Sequence, residues 1–97
     1  MNDEINSRLH ATVQGRVQGV NFRYFVVEQA IQLGLTGWVR NKWNGTVEVC
    51  AEGSRKNLEI ILVELHQGPP MAQVDDICFE WQPYCAEFND FQVRGTV

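Results

Sequence analysis

Apolar residues along this chain switch between a period of two and a period near 3.6 in a fixed order: strand, helix, strand, strand, helix, strand. Leu9, Ala11 and Val13 alternate with His10, Thr12 and Gln14, so a first strand buries one face. Phe22, Val26, Ala30 and Leu33 form a helical stripe, and Gly34 suits the left-handed position that ends it. Thr36 to Lys42 and Thr46 to Glu52 read as two strands of a hairpin, with Asn44-Gly45 as the turn signal. Ser54 is placed to cap a second helix whose Leu58, Ile61, Leu62 and Leu65 share one face, and Gly68-Pro69-Pro70 stops it. Val74 to Trp81 is a fourth strand, with Ile77, Phe79 and Trp81 on one face, and Phe91 to Arg94 is a short last one. The order predicts an α+β fold of the ferredoxin-like α/β sandwich type: βαββαβ with a short C-terminal fifth strand, an antiparallel sheet with two helices on one face. One domain over 1–97 is expected, with 1–6 as a loose N-terminal tail.

That topology decides which parts of the sequence meet. In a split βαβ unit the first two strands run parallel with the third between them. The end of the first strand, at Gln14-Gly15, and the end of the second, at Asn41, therefore lie at the same end of the sheet, beside the start of the first helix. Strand one also separates strands three and four, which puts Cys50 and Cys78 two strand spacings apart, about 9–10 Å. That spacing disfavours a bridge between them. The three cysteines show no C-x-x-C spacing and read as reduced structural thiols, although the sequence leaves a disulfide between two of them open.

Net charge narrows the partners. At -4, the chain lacks the Lys and Arg excess on which phosphate-backbone binding rests, so nucleic acid is not an expected partner. No apolar run is long enough to span a membrane, and the start is polar and acidic, not basic then apolar. The expectation is a cytoplasmic monomer with no membrane partner. His10 and His66 stand alone, and no His, Asp or Glu cluster has ligand spacing, so no metal or cofactor is expected. Asp75-Asp76 should place one side chain on each side of a strand and reads as solvated charge.

The segment from Gly15 to Arg23 carries the chemistry. Gly15 and Gly19 permit backbone conformations that point several N–H groups at one centre. The loop feeds straight into the first helix, with Asn21 as its cap. Arg23 then sits in the first helical turn, where a cation opposes the macrodipole unless an anion lies between them. Its planar fork can bind two phosphate oxygens at once. The loop is neither a Walker loop nor a dinucleotide fingerprint. Asn41, at the end of an apolar strand, aims a carboxamide near the same centre. A carboxamide is a poor proton acceptor, so it can position a water but not deprotonate it, which limits the substrate to one with a good leaving group.

These residues resemble the acylphosphatase family. The run from Val13 through Arg23 is similar to the family's V-x-G-x-V-Q-G-V-x-F-R motif. Gly37-Trp38-Val39-Arg40-Asn41, with Gly45, Val47 and Gly53, is similar to its second motif. The likeness runs from about Leu9 to Arg94 and includes Gly68-Pro69, Val74-Asp75 and Phe91-Gln92-Val93. It implies an enzyme, a hydrolase acting on acid anhydrides that converts a small acyl phosphate to a carboxylate and inorganic phosphate without a metal. By the same resemblance Arg23 clamps the phosphoryl group. The backbone amides of Gln18, Gly19, Val20 and Asn21 complete a phosphate-binding loop, and Asn41 holds the attacking water. Lys42 stands where many members carry Thr or Ser to orient this Asn, so Asn41 is oriented another way, for which Thr46 is one candidate and which the sequence leaves open. The alternative from another class is a non-catalytic phosphate- or anion-binding or accessory module of the same fold.

Overall fold

Strand β1 (Asn6–Arg16) follows the expected alternation: Ser7, Leu9, Ala11 and Val13 are buried on one side. The computed structural model describes residues 5–97. After β1 come α1 (Phe22–Gln32), β2 (Thr36–Asn41), β3 (Val47–Ser54), α2 (Arg55–Gln67), β4 (Gln73–Gln82) and β5 (Phe91–Val93). The sheet order is β4-β1-β3-β2-β5. Both helices cover one face: Phe22, Val26 and Ala30 of α1, and Leu58, Ile61 and Leu65 of α2, are buried with the inward residues of the strands.

Local chemistry sets the helix limits. α1 ends in a Schellman motif, in which the N–H of Leu35 donates to Ala30 O at 2.9 Å and that of Gly34 donates to Ile31 O at 3.1 Å. α2 starts on Ser54, whose Oγ accepts from the Asn57 N–H at 3.1 Å, the expected cap.

Two expectations need correction. The first concerns the tail. Asn6 already belongs to β1, where it pairs with Ser54, and the Ile5 carbonyl accepts from the Arg55 N–H at 2.7 Å. Hydrogen bonding thus holds the last two residues of the expected 1–6 tail, whose first four lie outside the described residues. The second concerns strand direction, because the sheet is mixed. β5 runs parallel to β2, with Gly37 opposite Phe91 and Val39 opposite Val93. The reason lies at the lower edge of the sheet, where Gln82, Arg8, Glu52 and Thr36 sit side by side on four strands. Residues 83–90 run along that row from the end of β4 to the start of β2. They deliver β5 at the end where β2 begins, and the Asp90 carbonyl accepts from the Gly37 N–H at 2.8 Å.

Glu52 fastens this crossing. Only 1% exposed, its carboxylate accepts from the N–H of Cys85 at 2.8 Å, that of Glu87 at 3.0 Å and Arg8 Nε at 3.1 Å. Arg8 also pairs with Glu87. Burial acts to raise the Glu52 pKa, but the backbone donors of Cys85 and Glu87, with Arg8, outweigh it and hold it below the usual value. A depressed carboxyl contributes stability above its unfolded pKa of about 4.3, and this is lost as pH falls through the folded value. Glu52→Ala is expected to cost about 3 kcal/mol at neutral pH, because two N–H groups lose their acceptor. Denaturant midpoints should show the gap from wild type narrowing on acidification. A gap that stays constant into strong acid would contradict this assignment.

The outer face of the sheet is covered by charge and not by helix. Arg40 and Arg94 lie over the Trp38 ring at 4.5 and 5.2 Å. Glu48 binds Arg40 Nε at 2.7 Å and His10 Nε2 at 2.6 Å. The three cysteines are free.

Candidate functional site

At the end of the sheet opposite the crossing, Ile77, Val13, Val47 and Asn41 form the corresponding row. Here the pairing of β1 with β4 shifts register between Gln14 and Gly15. Gly15 has φ 129°, and a Cβ on it would strike the Gln73 carbonyl, so only glycine fits this bend. The chain then leaves the sheet, buries Val17 and Val20, and enters α1.

The loop holds its N–H groups outward by its own conformation. φ is positive at Gly19 (73°) and Asn21 (68°) but not at Val20 between them. Such alternation turns successive N–H groups into one concavity. Among the described residues, the N–H groups of Gln18, Gly19, Val20 and Asn21 donate to no protein acceptor. Asn21 stands at the expected helix start but does not cap it, because its side chain makes no bond to the helix end. Side-chain capping requires an extended backbone at that position, and the left-handed one found here turns the carboxamide away. The N–H groups of Phe22, Arg23 and Tyr24 are therefore left open at the positive end of α1, the arrangement that favours an anion.

Gly19, Asn21, Arg23 and Asn41 line one cleft of about 220 Å³, floored by Val17 and Phe22 and bounded by Tyr24. Gln18 and Val20 do not line it, so any part they play there falls to their backbone amides. Arg23 makes no ion pair among the described residues. Asn41 Oδ1 is buried and has no hydrogen-bond partner there. An unpaired buried acceptor costs about 1–3 kcal/mol. Such a cost is typical of a group kept for a ligand.

Thr46, one candidate to orient Asn41, makes no bond to it. Thr46 Oγ1 donates to Asn44 Oδ1 at 2.7 Å, and its N–H uses the same oxygen at 3.1 Å, so both close the turn. Gln18 braces the neighbouring backbone and not the Asn41 carboxamide itself. Its Nε2 donates to the carbonyls of Lys42 and Thr46, each at 2.8 Å. One side chain thus ties the glycine loop to the hairpin immediately after Asn41. The sequence motif points to the Gln18 backbone alone, and the one sign of its side chain's role is the topology that brings this hairpin to the loop. Among the described residues, no cluster of three or more His, Cys, Asp or Glu is placed to hold a metal ion. No helix there is long and apolar enough to cross a membrane.

The family model described as Acylphosphatase matches residues 9–93. A protein of Pelotomaculum thermopropionicum named acylphosphatase is 46% identical over 87 residues, which cover 90% of this chain and 95% of that one. A crystal structure of acylphosphatase from Bacillus subtilis superposes with a TM-score of 0.88 at 35% identity, over 91% of this chain and 98% of that one. Full-length HypF in a phosphate- and nucleotide-bound form matches with a TM-score of 0.87 at 28% identity, over 98% of this chain but 12% of that one.

Proposed function

The chain belongs to the acylphosphatase family, and from that premise we propose how its cleft hydrolyses an acyl phosphate. The accessory-module alternative loses support, because a relative matched over 95% of its own length is itself named acylphosphatase. The phosphoryl group sits in the concavity of residues 18–21 at the open end of α1, and the Arg23 guanidinium binds two of its oxygens. Asn41 Oδ1 accepts a hydrogen from a water and turns the oxygen lone pair toward phosphorus. A new P–O bond forms to that water as the P–O bond to the acyl group breaks, and the electron pair leaves on the carboxylate. The water's proton passes to a phosphate oxygen. Charge spread over the equatorial oxygens is met by Arg23 and the amides, so positioning and electrostatics carry the reaction. A carboxylate is stable as it leaves, and the cleft needs neither a strong general acid nor a metal ion.

The observation that carries this reading is that the Asn41 side chain, whose buried oxygen has no partner, lines the same cleft as Arg23. The scheme calls for no residue of a second copy, so the proposed working form is a monomer, and three free thiols fit a reducing cytoplasm. Turnover in ¹⁸O-water tests the direction of attack. Label is expected in the inorganic phosphate; label in the carboxylate would mean attack at the acyl carbon and would overturn the scheme.

A further inference from the structure

A second cleft of about 190 Å³, lined by Arg23, Tyr24 and Val93, adjoins the first. The two clefts thus share Arg23 and Tyr24, with Asn41 lining the first alone and Val93 the second alone. Tyr24 is 69% exposed and Val93 44% exposed. Single exposed apolar residues are ordinary, but these two flank the phosphate cleft. Val93 shares the helix-side face of the sheet with Val39, its partner in β2, two residues before Asn41. On α1, Tyr24, half-buried Val27 and exposed Ile31 follow i, i+3, i+7, so the apolar surface continues along the helix.

The reaction dictates which end the acyl group takes. In-line displacement puts the incoming water and the leaving oxygen on opposite sides of phosphorus. With the water at Asn41, the leaving group must point away from Asn41 and past Arg23. The second cleft is the one that Arg23 lines and Asn41 does not. We propose that Tyr24 and Val93 form the acyl subsite and favour an apolar acyl group, aromatic above all, over a small one. The phenol ring offers a face for offset stacking, and Val93 closes the other side. The proposal rests on the acylphosphatase reading, and its test separates the two.

The test is kcat/KM for benzoyl phosphate and for acetyl phosphate, whose leaving carboxylates differ little in basicity, with inhibition by inorganic phosphate measured alongside. Wild type is expected to favour the benzoyl substrate by about 10-fold, the size of one aromatic contact. The ratio should fall toward one in Tyr24→Ala, drop partway in Val93→Thr and persist in Tyr24→Phe. Val93→Thr keeps the β-branched shape, so strand β5 is retained. A wild-type ratio near one, a ratio unmoved by either Tyr24→Ala or Val93→Thr, or equal losses on both substrates would each overturn the subsite. If wild type binds phosphate but hydrolyses neither compound, the activity reading itself fails and the subsite falls with it.

Discussion

Asn41→Ala is expected to lower kcat by about 10³-fold while leaving inorganic phosphate bound as a competitive inhibitor. The side chain ends β2 on the helix side of the sheet, and its Oδ1 is buried without a partner. Its assigned task is to orient the nucleophile, and nothing in the scheme asks it to touch the phosphate. Loss should therefore fall on kcat and not on phosphate affinity. Stability should move the other way. Deleting an acceptor that no group satisfies removes a desolvation cost, so Asn41→Ala should be at least as stable as wild type and up to ~1 kcal/mol more so. Steady-state kinetics and a denaturant titration check both halves. A variant that loses phosphate binding, or that unfolds more readily, would show the carboxamide to be a structural or substrate-binding group.

Arg23→Lys is expected to be nearly as damaging as Arg23→Ala, with phosphate inhibition lost in both and kcat/KM down by about 10³–10⁵-fold. The guanidinium lies in the first turn of α1, where its charge opposes the helix dipole, and no carboxylate among the described residues offsets it. Only an anionic ligand resolves that conflict. Lysine keeps the charge but presents a single point donor where a planar fork is needed. Competitive inhibition by phosphate, measured in each variant, reads the clamp directly. Near-normal affinity in Arg23→Lys would mean that charge alone suffices and that the bidentate role is wrong.

The fold was legible because its periodicities are strong and its punctuation is chemical. Ser54 caps α2 as its position implies, and Gly34 ends α1 through the expected left-handed turn. What failed depended on where separate segments meet. Asn21 looks like a cap by sequence, yet loop closure gives it a left-handed backbone that excludes capping geometry. Thr46 looked free to orient Asn41, yet the nearer Asn44 oxygen takes both of its donors. The parallel pairing of β5 follows from the path of residues 83–90 over Glu52, a buried acid that the strand pattern could not single out. The convergence of Arg23 and Asn41 was legible because the split βαβ topology alone brings their strand and helix ends together. The apolar cleft beside them was not, since Tyr24 and Val93 matter only through the site they adjoin.

The measurement that bears most directly on the whole account is hydrolysis of an aromatic acyl phosphate by the purified protein in excess EDTA, with Asn41→Ala run beside it under the same phosphate inhibition. Wild-type turnover is expected to survive chelation and to fall by about 10³-fold in the variant, with phosphate still bound by both. Turnover that stops with the chelator, or that stays near the wild-type rate in Asn41→Ala, would contradict a metal-independent reaction built on a water held by Asn41.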